Sequence, residues 1–147
     1  MIIERLMPVA RERLATIKDK ALLREAAKLL DDRDIKLVVV CNDKGTMVGV
    51  VTKTDIVRRI SSCHGGGCTL AVATAMTQDV AYCHPDDLLQ DIWSIMKERR
   101  LLHIPVVDQD FKPLGVLNAR DALFALLEGV KHEEALLREY VMGIGYR

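Results

Sequence analysis

The chain has 147 residues, about half of them apolar, which suits one compact domain or two small halves that share a core. Its 21 basic and 21 acidic side chains cancel, and this balance argues against the basic surface of a nucleic-acid-binding protein. No apolar run reaches the roughly 20 residues that span a bilayer, and the charged start is untypical of a signal peptide. We therefore expect a cytoplasmic protein that contacts neither membrane nor nucleic acid and whose four cysteines are thiols.

The first sixty residues predict the order strand, helix, strand, strand, helix after an amphipathic lead-in. Pro8 should limit any helix in the lead-in, and Asp19 should cap the first long helix. Gly45 suits a tight turn between two strands rich in β-branched residues. The predicted elements are the lead-in over 1–13, strands over 14–17, 37–41 and 46–51, and helices over 19–30 and 53–60.

The same order returns in the second half of the sequence. A helix is expected to start at 85–87, and a charged tail over 131–140 predicts one more helix. The remaining elements are strands over 80–83, 103–107 and 114–117 and a closing helix over 120–128. We divide the chain into a first repeat over 9–60, a linker over 61–75, a second repeat over 76–128 and a C-terminal tail over 129–147.

The two halves are an internal repeat with an offset of 66 residues, because Gly115 follows Gly49 and Asp121 follows Asp55 at that distance. With this offset, residues 14–60 align on 80–126 without a gap, and both apolar pattern and turn positions coincide. Internal repetition outranks any local motif as a guide to architecture. It predicts two similar α+β halves, small sheets flanked by helices, related by a pseudo-two-fold axis.

Each half contains a corner at which a buried strand meets a helix, Gly49 to Asp55 and Gly115 to Asp121. A helix N-terminus has free backbone N–H groups and the positive end of the helix dipole, so it can hold a phosphate. A neighbouring carboxylate can accept hydrogen bonds from sugar hydroxyls. The alternative is a capping box, in which Thr52 or Asn118 caps the helix and the Asp reaches back to the cap's N–H.

These corners, the strand His103 to Val107 and the element order resemble the cystathionine-β-synthase (CBS) domain, present twice as a Bateman module. The resemblance covers roughly residues 9–128. The chain as a whole resembles stand-alone two-repeat CBS proteins. It implies a regulatory module without catalytic residues or a required cofactor, which binds AMP, ADP or ATP between the repeats. NAD or S-adenosylmethionine would fit the same logic. The resemblance also implies a flat homodimer.

By that resemblance, Asp55 and Asp121 hold ribose, Thr52 contacts phosphate, and Ile104 and Pro105 line the adenine pocket. The further residues it assigns to the sites are Thr16, Val38, Tyr82, His103, Asn118 and Arg120. Each half departs from the pattern once, since Val39 replaces the proline in the first and Asn118 replaces threonine in the second. Neither half carries a complete signature, so we expect one or both sites to be weak or silent.

Other readings of the sequence lead to different functions. Cys63, His64 and Cys68, with Cys83 and His84, could ligate zinc or form a redox pair, but the spacing fits no standard zinc module. We therefore expect no metal, and no paired nucleophile and base indicates an enzyme. The favoured function is an adenine-nucleotide sensor read by an unidentified protein effector. The alternative is a structural homodimerisation module with vestigial pockets.

Overall fold

A computed structural model describes residues 1–62 and 69–145 as a mixed α+β fold of two similar halves. Short 3₁₀ helices over Ile3–Leu6 and Val72–Thr74 lead into the halves. In the first half the elements are α1 (Met7–Glu12), β1 (Thr16–Lys18), α2 (Leu23–Leu30), β2 (Val38–Cys41), β3 (Met47–Val51) and α3 (Lys53–Ser61). In the second half they are α4 (Leu89–Arg99), β4 (His103–Val107), β5 (Pro113–Asn118) and α5 (Ala119–Gly145).

The first sheet has the order β1-β2-β3, with β1 parallel and β3 antiparallel to the central strand. All four residues of β2 are buried, which explains why its run of β-branched side chains has no polar alternation. The two hairpin turns are built alike. Asn42 accepts hydrogen bonds from two backbone N–H groups of its turn through Oδ1, and so does Asp108. Gly45 and Phe111, 66 residues apart, both have positive φ.

Among the described residues, the second sheet consists of two strands, β4 and β5, so the strand predicted over 80–83 is wrong. In the first half, the Val39 N–H donates to the Ala15 carbonyl and ties β1 to β2. The equivalent donor in the second half would be Pro105, which has no N–H. Only an isolated bridge between Cys83 and Val106 remains.

Each half buries the lead-in of the other half. Ile3, Met7 and Ala10 are buried in the core of the second half. Val72 is buried in the core of the first half, where Thr77 exchanges two backbone hydrogen bonds with Val50. A third cluster joins the two sheets, with Leu37, Val39, Cys41, Met47, Val50, Val107 and Val116. The predicted linker over 61–75 therefore contributes one buried residue, Val72, to the core of the first half, and residues 63–68 lie outside the described residues.

Several predicted helix ends differ from the structure. Pro8 lies in the first turn of α1, where its missing N–H costs no hydrogen bond, and α1 is a short helix of six residues that starts at Met7. Asp19 caps no helix, because α2 starts later and Glu25 accepts from the Leu22 N–H instead. The second long helix likewise starts at Leu89 rather than at 85–87.

The closing helix and the tail are one continuous helix, α5, rather than two. Gly129 lies inside it, and a single glycine costs a helix only about 1 kcal/mol. Residues 131–139 are exposed along this extension. Within residues 1–62 and 69–145, no helix has the length and apolarity to cross a membrane.

Gly49 and Gly115 allow the exchanged lead-ins to approach the sheets closely. A Cβ on Gly115 would lie 2.8 Å from the Ala10 carbonyl carbon, and one on Gly49 would lie 2.8 Å from the Thr77 carbonyl oxygen. Both obstacles are backbone atoms, which cannot move as a side-chain tip would. The repeated glycine therefore serves the exchange of lead-ins.

We predict that Gly115→Ala lowers the free energy of unfolding by about 1–3 kcal/mol, as expected for overpacking. The control is Gly129→Ala, whose new methyl group would meet nothing closer than 3.9 Å. Chemical denaturation of both variants measures the effect. Equal stability of the two variants would contradict the close approach.

Candidate ligand-binding cleft

The first corner joins β3 to α3 through a capping box. The Thr52 hydroxyl accepts a hydrogen bond from the Asp55 N–H at 3.4 Å, and Asp55 Oδ2 accepts from the Thr52 N–H at 2.9 Å. The capping reading of this corner is thus confirmed. A cap holds the carboxylate in a fixed place and leaves its other oxygen, Oδ1, for further contacts.

Asp55 is the one buried charged residue in the described part of the chain, with 8% of its surface exposed. Its Oδ1 accepts a hydrogen bond from the Thr77 hydroxyl at 3.2 Å, and the Arg58 guanidinium lies 3.9 Å away. Thr77 belongs to the lead-in of the second half. The exchange of lead-ins therefore brings a hydroxyl donor from one half to the carboxylate of the other.

A cleft of about 640 Å³ opens beside this corner, within the range of about 300–1,000 Å³ usual for small-molecule sites. Its walls come from both halves. The apolar lining consists of Leu37, Val50, Val80, Ala81, Leu101, Leu102 and Pro105. The polar and charged lining consists of Lys36, Thr52, Lys53, Thr54, Asp55, Thr77, Asp79, Arg100 and His103.

The cleft combines the two partial signatures that the sequence divides between the halves. Thr52 and Asp55 come from the first repeat, whereas His103 and Pro105 come from the second. Two incomplete sites were expected because each corner was considered together with the strand of the same half. The tertiary structure instead sets the complete corner of one half against the proline strand of the other.

Pro105 also shapes the wall of the cleft. Pro105 has no N–H, so the Ala81 carbonyl lacks the hydrogen bond that the Ala15 carbonyl accepts from Val39 in the first half. Both Pro105 and Ala81 line the cleft. Interruption of the ladder at Pro105 is therefore confirmed. A backbone carbonyl beside an apolar wall can accept a hydrogen bond from an amino group of a bound base.

The structure places the other predicted site residues elsewhere. Val38 and Ile104 are fully buried in the cores of the two halves. Thr16 lines a separate cavity beside the first hairpin turn. Tyr82 is exposed and packs edge-on against Phe111, with ring centroids 4.7 Å apart.

Asn118, Arg120 and Asp121 lie at the second corner. Asn118 Oδ1 accepts from the N–H groups of Arg120 at 2.7 Å and Asp121 at 3.4 Å, which caps α5. The Asp121 carboxylate forms an ion pair with Arg13, whose Nε is 2.9 Å from Oδ2. The two corners thus share a backbone design but differ in the partners of their carboxylates.

His103 links the two corners, because it lines the cleft while its Nε2 lies 3.1 Å from Asn118 Nδ2. Two backbone N–H groups fix the Asn118 oxygen, so its amide nitrogen faces His103, whose Nε2 accepts the hydrogen bond. The imidazole is then neutral. Burial is the main reason that the pKa of His103 is lowered; Arg13 and Lys36 lower it further, and Asp121 partly opposes them.

Sequence reasoning missed the residues that the lead-in and the loop before β4 contribute. Thr77 and Asp79 reach the cleft through the exchange of lead-ins, and Arg100 does so by ending α4 with a left-handed backbone conformation. The 66-residue offset pairs Thr54 with Arg120, a predicted site residue, so the repeat could have indicated Thr54. No sequence signal indicated which lead-in covers which corner.

The cysteines that the structure describes are buried thiols. Burial is the main cause of a raised pKa for Cys41 and of a pKa of about 12 for Cys83. Such thiols are poor nucleophiles and poor metal ligands at neutral pH. Among the described residues, no three His, Cys, Asp or Glu side chains gather as a metal site. Cys63, His64 and Cys68 lie outside the described residues.

We predict that His103 makes the protein less stable below pH 6.5. The unfolded chain takes up a proton near pH 6.5, whereas the folded pKa is lower, so the unfolded state binds more protons between the two values. The free energy of unfolding should therefore decrease as the pH is lowered across that window. Denaturation of His103→Gln from pH 7.5 to 5 should show a shallower fall than the wild type. His132→Gln, on an exposed part of α5, should keep the wild-type slope, and parallel curves for wild type and His103→Gln would contradict the assignment.

Solved structures resemble the fold closely. CBSX2 in complex with AMP has a TM-score of 0.72 and 24% identity, and the match covers 86% of this chain and 96% of that chain. The CBS domain pair of protein MJ0100, in complex with 5′-methylthioadenosine and S-adenosyl-L-methionine, has a TM-score of 0.70 and 20% identity, with 88% and 97% covered. At these identities the likeness concerns the fold.

Curated sequences give a second comparison. An uncharacterised 17.7 kDa protein of Acidianus ambivalens is 27% identical over 137 residues, which are 93% of this chain and 82% of that protein. The homoserine O-acetyltransferase of Methanococcoides burtonii is 28% identical over 113 residues, and the chain spans only 22% of its length. The family profile of the CBS domain matches twice, at residues 6–62 and 72–128. The chain therefore belongs to the CBS-domain family, as a tandem pair of such domains.

Proposed function

We propose that the cleft binds an adenosine-containing ligand and that the chain is a regulatory sensor of it, AMP being the first candidate. The observation that carries this proposal is the union of the Thr52–Asp55 corner with the Pro105 strand in one cleft. CBS-domain pairs are regulatory modules. The relatives named above with AMP, 5′-methylthioadenosine and S-adenosyl-L-methionine support the ligand class, since all three molecules contain adenosine.

Asp55 is placed to hold the ribose. Its Oδ2 is held by the cap, while Oδ1 has a hydroxyl donor, Thr77, that a sugar hydroxyl can replace or join. An ionised carboxylate accepts two hydroxyl hydrogen bonds, which a deoxy sugar cannot supply in full. This carboxylate therefore distinguishes ribose from deoxyribose.

The start of α3 is placed to hold a phosphate. Lys53 and Thr54 line the cleft in the first helical turn, where N–H groups have no partner within the helix. Lys36 and Arg100 add positive charge to the walls. A phosphate on the ribose would thus meet oriented N–H donors and cationic side chains together.

The apolar wall suits the base. Leu37, Val50 and Leu101 can contact the faces of adenine, and the Ala81 carbonyl can accept a hydrogen bond from its exocyclic amino group. Because the walls belong to both halves, a bound ligand contacts both repeats. Such a ligand favours whichever arrangement of the halves it binds more tightly, which is the requirement for signalling to a protein effector.

We predict saturable binding in calorimetric titrations of nucleotide-free protein with AMP, ADP, ATP, NAD and S-adenosylmethionine. Asp55→Asn should keep an acceptor for the cap but weaken binding roughly 10- to 100-fold, since hydrogen bonds to charged groups contribute about 1.5–3 kcal/mol. Replacement of AMP by 2′-deoxy-AMP should weaken wild-type binding in the same direction.

The matched control is Asp91→Asn. Asp91 occupies in α4 the helical position that Asp55 occupies in α3, but it is exposed and lies outside the cleft. It should bind like the wild type. No heat and no thermal shift with any of the five ligands, or unchanged affinity of Asp55→Asn, would refute the ribose assignment.

Exposed apolar residues favour a second candidate function, homodimerisation, with or without a working cleft. Val57 and Ile60 on α3 are 65% and 51% exposed. Phe124, Leu127 and Val130 follow at helical spacing on α5 and are 50%, 47% and 51% exposed. A second copy of the chain that covered these faces would remove them from water.

We predict a dimer at tens of micromolar and its loss in Leu127→Glu/Val130→Glu, because the dimer would bury two unpaired carboxylates from each chain. Light scattering across a dilution series should show a dimer dissociation constant at least tenfold higher. Gln90→Glu, at an exposed position of α4, is the control for added charge. A monomeric wild type would exclude this candidate and leave the sensor proposal standing.

A further inference from the structure

His103 and Asn118 face each other across the second sheet. They are directly paired in the register of β4 and β5, and His103 Nε2 lies 3.1 Å from Asn118 Nδ2. Beside this pair, the Ala119 N–H donates to the Leu102 carbonyl at 2.9 Å, which holds the ends of the two strands together. A change in the contact between His103 and Asn118 therefore falls on the two side chains rather than on the backbone.

The Asn118 amide group is engaged on both sides. Its Oδ1 accepts hydrogen bonds from the N–H groups of Arg120 at 2.7 Å and Asp121 at 3.4 Å. These are first-turn donors of α5, which have no partner within the helix. Its Nδ2 donates to His103. The cap of α5 and the contact with the imidazole thus depend on one orientation of one amide group.

A protonated imidazole conflicts with this orientation. Both ring nitrogens then carry a hydrogen, so the Nε2–H of His103 would face the Nδ2 donor of Asn118. A half-turn of the amide about its last side-chain bond, a torsion that is roughly two-fold, turns Oδ1 to His103 and restores a hydrogen bond. The same half-turn takes Oδ1 away from the N–H groups of Arg120 and Asp121. Protonation of His103 therefore removes the cap of α5.

Charged groups around the imidazole determine when it takes up a proton. Burial is the largest cause of the lowered pKa of His103; Arg13 and Lys36 lower it as well, and Asp121 raises it. An anion in the cleft would favour the charged imidazole by Coulomb attraction and so raise this pKa. The other charged side chains that line the cleft with His103 are Lys53, Asp55, Asp79 and Arg100.

The first half carries a different pair at these positions. In the 66-residue alignment, Leu37 corresponds to His103 and Thr52 to Asn118. Leu37 has no group that titrates, and the Thr52 hydroxyl accepts from the Asp55 N–H at 3.4 Å. The cap of α3 is therefore independent of an imidazole, and the Asp55 N–H is an internal control for the cap of α5.

We infer that His103 and Asn118 form a proton-sensitive switch between the cleft and the start of α5. With a neutral ring α5 is capped, and with a charged ring Asn118 turns and the cap is lost. The change reaches the surface, because the Arg120 guanidinium lies 5.4 Å from the ring centroid of the exposed Phe124. The part that concerns a ligand rests on the proposed function: an anionic ligand favours the charged ring and takes up a proton as it binds.

An NMR titration of the ligand-free protein from pH 7.5 to 4.5 tests the switch itself. The amide signals of Arg120 and Asp121 should shift with the same midpoint as the His103 ring. After correction for the effect of pH on exchange chemistry, both amides should exchange with water roughly three- to tenfold faster once the ring is charged, in line with the loss of a helix cap. The Asp55 N–H should keep its corrected exchange rate.

The matched variant is Asn118→Asp. A carboxylate can accept from the charged imidazole with one oxygen and from backbone N–H groups with the other, so it has no need to turn. The His103 pKa should therefore rise in this variant, while the amides of Arg120 and Asp121 keep their protection from exchange throughout the titration.

Calorimetric titration with AMP at pH 7.5 and 5.5 tests the link to the cleft. The phosphate of AMP itself takes up a proton near pH 6, and His103→Gln measures that effect without the imidazole. On acidification the wild type should gain roughly three- to tenfold in affinity relative to His103→Gln, since each unit by which the ligand raises the pKa corresponds to a factor of ten.

The outcomes separate the switch from the proposed function. A His103 ring that stays neutral throughout, or one that titrates while the Arg120 and Asp121 amides behave like that of Asp55, would overturn the switch. Parallel pH dependence of AMP affinity in wild type and His103→Gln would overturn its link to the cleft. Absence of AMP binding at both pH values would refute AMP as the ligand, and the titration of the ligand-free protein would still decide the switch.

Discussion

The fold depends on the exchange of lead-ins between the two halves. Thr77 pairs with Val50 of the first half, and Ala10 packs on Gly115 of the second. Neither half buries its core without a segment that lies outside its own repeat of sheet and helices. This constraint explains the repeated glycine, because a Cβ at either position would lie 2.8 Å from a backbone atom of the exchanged lead-in. It also makes the pair, rather than the single repeat, the stable unit.

The exchange has a direct chemical consequence in the cleft. It places the Thr77 hydroxyl of one half at the Asp55 carboxylate of the other. It also brings the Thr52–Asp55 corner and the strand that contains Pro105 to the same cleft. Two signatures that look damaged within their own repeats become complementary. A proline is costly inside a β ladder, but here the lost donor frees a carbonyl at the wall of the cleft.

Symmetry of the backbone does not impose symmetry of the chemistry. Each corner has a capped helix, yet one carboxylate meets Thr77 and the other meets Arg13. His103 lies between the corners, with its Nε2 facing Asn118 and its ring at the cleft, so the two corners share a residue.

The sequence by itself determined the repeat, the α+β class, the hairpins and the two Asp corners, because these follow from local periodicity and turn chemistry. It also determined that Pro105 interrupts a ladder, since that rests on a missing N–H. Only the tertiary structure decided which corner faces which strand, why residues 80–83 form no strand, and that Arg13 reaches Asp121 across 108 positions. The physical reason is that these features depend on contacts between segments far apart in the chain, where local sequence carries no distance information. The predicted helix starts were wrong for a related reason, because the starts at Leu23 and Leu89 are set by bridges to the exchanged lead-ins.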